Sequence, residues 1–103
     1  MKVELRLRTG FYETTSYWMD VIKNRIVLTP QTPDAGKEKI VILGEAIAAV
    51  TILEKKNPEI EIQTKGGTFF GTLAPETDLD KLFNQMKKEL KKKVIYEGGI
   101  GHA

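Results

Sequence analysis

Few residues in this chain have the type and spacing for chemistry, so those few decide what can be asked of it. Glu59 and Glu61 share one side of an alternating segment, and Glu54 stands close enough in sequence to face them across a turn. Paired carboxylates can move protons or hold a hard cation. No nucleophile or histidine accompanies them, so they read more simply as an outer strand face balanced by lysines. There is no cysteine, which excludes thiolate metal sites, disulfides and cysteine nucleophiles. The single histidine, His102, is the next-to-last residue, so a histidine cluster is excluded too. Gly66 and Gly71 have the spacing of a phosphate loop, but no Lys-Ser/Thr follows and no helix opens there. That segment reads as a hairpin turn with a glycine in the returning strand. We therefore expect no catalytic residues, no metal and no cofactor.

What remains is binding chemistry. Phe11 and Tyr12 form an aromatic pair in a loop between two strands. Such a pair can enter a membrane interface, touch a partner or close the end of a barrel. Lys81, Lys88 and Lys92, with Lys91 beside them, lie opposite the apolar stripe of a helix. They can meet an anionic surface or simply be solvated near a helix C-terminus. No aromatic residues interleave with them, as single-stranded nucleic acid would require.

The elements that must position these groups follow from periodicity. The chain has 103 residues, 41% of them hydrophobic and 29% charged, with a formal net charge of +2. That length suits one domain. Val3, Leu5 and Leu7 alternate with charged residues, a strand with one buried face. Residues 11–16 read as a loop, and a second strand runs from about Tyr17 to Lys23. Lys23-Asn24 is a two-residue turn, and Arg25 to Thr29 returns, stopped by Pro30. Lys39 to Leu43, Ala48 to Glu54, Glu59 to Gln63 and Thr68 to Leu73 complete seven strands. Gly44-Glu45-Ala46, Lys55 to Pro58 and Lys65-Gly66-Gly67 are the breaks between them.

The period then changes. Leu79, Leu82, Phe83, Met86 and Leu90 fall on one helical face, with Thr77 as the expected N-cap, and the helix runs from about Asp78 to Lys92 or Lys93. Gly98, Gly99 and Gly101 mark a tail, so the domain is placed at residues 1–94 and a flexible segment at 95–103. Ile95, Tyr96 and Ile100 fall in that segment, either docked on a second subunit or unordered. Residues 1–30, 31–80 and 81–103 carry net charges of +2, −4 and +4. These are local fields rather than the uniform basicity of a nucleic-acid binder. The longest mainly apolar stretch, Val41 to Leu53, is interrupted by Glu45 and is too short to cross a membrane as a helix. No secretory signal is visible, and a cytoplasmic location is expected, with a peripheral position on the membrane as the alternative.

Seven strands followed by one amphipathic helix resembles the pleckstrin-homology-like superfamily, which includes GRAM and bacterial PH-like domains. "VIKNRIVLTP" at 21–30 is similar to that family's basic hairpin. "IVILGEAIAAVTI" at 40–52 resembles its strand, short turn and strand, and "EIEIQTKGGTFFGTL" at 59–73 its hairpin before the closing helix. The resemblance spans about residues 2–93 and implies a mainly β barrel of two packed antiparallel sheets capped by a C-terminal helix. The helix departs from the family in holding Phe83 as its one aromatic residue, while Trp18 sits in the second strand.

The family's functions set the remaining expectations. The first is a non-catalytic module that binds a protein partner or self-assembles. The alternative is a surface module for anionic lipid. Lipid-binding members hold inositol phosphates with basic residues on the first two strands, which points to Arg6 and Arg8, with Lys23 and Arg25 after them. The loop from Gly10 to Ser16 lacks any Lys or Arg, so that match is incomplete. Nucleic acid is not expected as a partner.

Overall fold

The computed structural model describes residues 1–32, 37–91 and 93–98. It contains β1 (Lys2–Arg8), β2 (Thr14–Ile22), β3 (Arg25–Pro30), β4 (Ile40–Leu43), a 3₁₀ turn (Gly44–Ala46), β5 (Ile47–Leu53), β6 (Glu59–Thr64), β7 (Gly67–Leu73), α1 (Leu79–Leu90) and β8 (Lys93–Glu97). Among the described residues the fold is mainly β, with one α-helix near the C-terminus. The strands form a single mixed sheet in the order β4-β3-β2-β1-β7-β6-β5-β8. The two sheets expected from the resemblance are thus joined. The join is β1 against β7, through the pairs Leu5–Leu73, Arg6–Thr72 and Leu7–Gly71.

Alternation places the core. Val3, Leu5 and Leu7 of β1, Tyr17, Met19 and Val21 of β2, and Ile60 and Ile62 of β6 all face inward and are buried. Leu79, Leu82, Met86 and Leu90 project from α1 into the same core. Strands alone would leave that inner face wet at one side, and the apolar stripe of α1 covers it. No polar or charged side chain among the described residues is buried. The inner face therefore carries no desolvated charge that would need a partner.

Two glycines allow close approaches. A Cβ on Gly71 would run into the Leu5 side chain and come within 3.1 Å of the Arg6 carbonyl oxygen. The bare glycine lets β1 close on β7. A Cβ on Gly44 would strike the Asn24 side chain and lie 2.9 Å from the Asn24 carbonyl oxygen. Asn24 itself has φ of 58°, in the left-handed region that asparagine tolerates better than most residues. Its N–H donates to the Glu89 carbonyl at 2.9 Å, and its carbonyl accepts from the Gly44 N–H at 2.8 Å. The β2–β3 turn is thereby bonded to the last turn of α1 and to the corner after β4.

The helix differs from expectation at both ends. Asp78, not Thr77, is the N-cap, and its side chain accepts from the Lys81 N–H at 3.1 Å. An aspartate binds the free N–H groups at least as well as a threonine and also suits the helix dipole. At the other end Lys91 turns left-handed, with φ of 51°, so the helix stops at Leu90. The chain then re-enters the sheet as β8, parallel to β5 and in register from Ala49–Lys93 to Leu53–Glu97. The boundary expected at residue 94 falls inside this strand. Ile95 and Tyr96 belong to the domain, drawn in by the β preference of Val94-Ile95-Tyr96. Ile100 and the rest of 99–103 lie outside the described residues. So does Lys92. β2 begins at Thr14, which takes three residues from the expected loop.

Tyr96 ties β8 to its neighbours. Its hydroxyl donates to Glu54 Oε1 at 3.2 Å, and its ring meets Phe83 of α1 edge-on at 5.5 Å. Partial burial, followed by the bond to Glu54 and that residue's charge, raises the phenol above its ordinary value of 10.0. The neutral form is thus favoured by folding. That contribution is complete below the ordinary tyrosine pKa and disappears as the pH rises through the higher folded value.

Two predictions follow from this packing. Gly44→Ala forces Asn24 away from the corner and should lower stability by about 1–3 kcal/mol, the usual range for an overpacked contact. Urea unfolding measures it, and an unchanged midpoint would show that the approach is not needed. Glu54→Gln should move the Tyr96 titration down toward 10.0, followed by tyrosinate absorbance against the wild type. Identical curves would mean that Glu54 does not act on the phenol.

Candidate interaction surface

The residues singled out for binding fall into two groups. Arg6 and Arg8 alternate with buried leucines on β1 and are exposed on its outer face. Phe11 and Tyr12 lie in the loop that follows and are 96% and 98% exposed. Their rings are 6.1 Å apart. They do not close the end of the barrel, the simpler reading of the pair. Thr9 N–H donates to the Glu13 carbonyl at 3.0 Å across the base of this loop, which holds the aromatic pair out from the body.

Lys23 and Arg25 lie at the far end of the same strands. Arg8 pairs with Thr14, and Arg25 with Ile22. Eight steps along β2 separate the two places, about 26 Å at the usual strand rise. The four basic residues therefore do not surround one anion.

The surroundings of the first pair are mixed in charge. The Arg8 guanidinium lies over the Phe70 ring, 5.8 Å from its centroid. A hollow of ≈ 150 Å³ beside them is lined also by Glu59 and Glu61. A second hollow, ≈ 300 Å³, is bounded by Glu4, Arg6, Ser16, Gln31 and Thr72. Neither concentrates positive charge. Glu59 is held by Lys55 at 3.3 Å, Glu61 accepts from Gln63 at 3.3 Å, and Glu54 accepts from Tyr96. The three carboxylates are spent on separate neighbours. On α1, Lys81 and Lys88 are exposed, and Lys87 lies 5.2 Å from the Phe83 ring.

A different surface emerges on the outer face of β2, β3 and β4. Trp18, Ile22, Val41 and Leu43 are exposed there, by 38%, 36%, 47% and 45%. Val27, half-buried, stands between Asp20 and Val41 in the register. Arg25 lies between Ile22 and Leu43. Asp20 is engaged by the N-terminal ammonium of Met1 at 3.3 Å. The patch runs to β4, which ends the sheet; among the described residues nothing pairs with its far side. The sequence held a signal for it. The run Ile40-Val41-Ile42-Leu43 has no polar position, so whichever side faces the core, the other is apolar as well. Trp18 follows the same rule, because Tyr17, Met19 and Val21 must point inward.

No family model matches the chain, and no curated protein matches it. A search of solved structures finds a chain from the structure of the Spt16D–Pob3N heterodimer, with a TM-score of 0.67 and 12% sequence identity. The match covers 100% of this chain and 57% of that chain. At that identity the likeness shows the fold alone: the complete course of this chain is a backbone path that occurs in a solved protein.

Proposed function

We propose that this chain is a non-catalytic interaction module of the pleckstrin-homology-like kind, which binds a protein partner or itself, in the cytoplasm. The observation that carries this is the apolar outer face around Trp18, Ile22, Val41 and Leu43, beside a strand edge that no other described residue pairs with. Exposed apolar clusters of this sort mark contact surfaces in soluble domains. A bare edge strand offers main-chain groups to another chain. The similar solved chain comes from a heterodimer, which agrees in kind with a module that pairs with proteins. The lipid reading has weaker support, since Arg6 and Arg8 stand about 20 and 26 Å along the strands from the turn that holds Lys23 and Arg25, at the usual strand rise, and acidic groups share the hollow of the first pair. No helix among the described residues is long and apolar enough to cross a membrane.

The test is co-sedimentation with neutral and anionic liposomes at low and moderate salt. The expected result is no salt-sensitive binding to the anionic vesicles. Binding that appears only with anionic lipid and falls as salt rises would replace this reading with the membrane one. In that case Arg6→Glu with Arg8→Glu and, separately, Lys23→Glu with Arg25→Glu would show which end of the strands is used.

A further inference from the structure

We propose that β4 pairs antiparallel with β4 of a second copy of this chain, about a two-fold axis through Ile42. The proposal rests on the interaction-module reading and names its partner and geometry. Among the described residues the edge is open on its far side, and its four residues carry no charge, proline or glycine that would discourage another strand. Natural edges are usually protected by such residues. This one is apolar along its whole length.

The order of residues around the edge is what selects a second copy. In an antiparallel pair, residues directly opposite each other point to the same side. A two-fold axis at Ile42 sets Ile42 against its own counterpart on the inner face. It sets Val41 against the second copy's Leu43, and Leu43 against its Val41, on the outer face. Just beyond the strand, Lys39 precedes it and Glu45 stands in the 3₁₀ turn that follows it, so the same axis brings Lys39 of each copy to the end where Glu45 of the other lies. Val41 and Leu43 on the strand, and Lys39 and Glu45 flanking it, are all exposed in the single chain. The segment therefore complements itself when reversed: cation to anion at each end, apolar to apolar between. Ile40 comes opposite Gly44, the first residue of the 3₁₀ turn, which has no side chain to obstruct it. A parallel arrangement, or a shift by one residue, loses these matches, because a one-residue slip moves every side chain to the wrong face.

Joining the two edges also enlarges the outer apolar patch. Val41 and Leu43 of both copies become one cluster, flanked on each side by Val27. The strand is short, so the contact falls below the size of a tight interface. Association is accordingly expected at high micromolar concentration, as a rapid monomer–dimer equilibrium.

The test uses the full chain in a concentration series, followed by sedimentation velocity and light scattering. The wild type should shift from monomer to a discrete dimer and no further, because a two-fold contact closes on itself. Val41→Lys should abolish the shift. Lys39→Glu replaces two attractive pairs per dimer with two repulsive ones, and so should Glu45→Lys; each should weaken dimerisation by roughly tenfold, as a pair of exposed ion pairs allows. Lys39→Glu combined with Glu45→Lys should restore it. All these positions are exposed, and circular dichroism spectra matching the wild type show that the fold is kept. A wild type that stays monomeric up to millimolar concentration overturns the proposal. So does a dimer that Val41→Lys leaves intact, or one that the double reversal fails to restore. A monomer that also ignores anionic vesicles leaves the partner-module reading standing with a different protein as partner, so the two failures are told apart.

Discussion

The whole architecture depends on three residue pairs between β1 and β7. The first half of the sheet, β4-β3-β2, and the second half, β7-β6-β5-β8, touch β1 from opposite sides, and nothing else in the sheet order connects them. Leu5 pairs with Leu73 and Leu7 with Gly71. These partners are far apart in sequence, so closing them costs chain entropy that local turns cannot offset. What offsets it is burial, since Leu5, Leu7 and Leu73 are among the least exposed side chains. Gly71 supplies the space, because any side chain there would occupy the place of Leu5.

Once the halves are joined, the sheet still has an inner face to cover and two ends to finish. The helix covers the face with four buried residues, spaced so that one stripe meets the core. The ends are finished differently. β5 receives β8 along its outer side, with Glu54 N–H bonded to the Glu97 carbonyl at 2.9 Å where the pair ends. β4 receives nothing from the described residues. β8 and β4 are thus the two edges of the sheet, and they differ in composition: β8 begins and ends on charged residues, Lys93 and Glu97, whereas β4 is apolar throughout. This asymmetry makes β4 the edge better suited to receive another apolar strand.

Most of the fold was legible in the sequence, because its strands obey a period of two and its helix a period near 3.6. Val3-Leu5-Leu7 and Ile60-Ile62 show it, as do Leu79, Leu82, Met86 and Leu90. Three features were not legible, each for a physical reason. β8 was hidden because the lysines from Lys91 to Lys93 contain no helix breaker. The stop is a left-handed lysine, a conformation that the residue type does not announce. The join of the two half-sheets was hidden because pairing between distant strands leaves no local pattern. The separation of Arg6 and Arg8 from Lys23 and Arg25 follows from a hairpin: the two pairs lie at opposite ends of strands that alternation alone treats as interchangeable. The apolar patch had a visible sign in Ile40 to Leu43, but a run without polar positions marks a two-sided strand without saying where its outer side lies.

The junction at Asn24 has a consequence for how such a fold can drift over time. There, a strand turn, a helix end and a corner are held together by Asn24 N–H to Glu89 oxygen and Gly44 N–H to Asn24 oxygen, all main-chain groups. Bonds of this kind are blind to most side chains. Substitutions can accumulate at Lys23, Glu45 or Glu89 without removing either bond. The geometry asks only for a residue that accepts a left-handed turn at one place and for the absence of a Cβ at another. A framework fastened in this way is inherited as a shape, and two chains can share it long after their sequences have ceased to look alike.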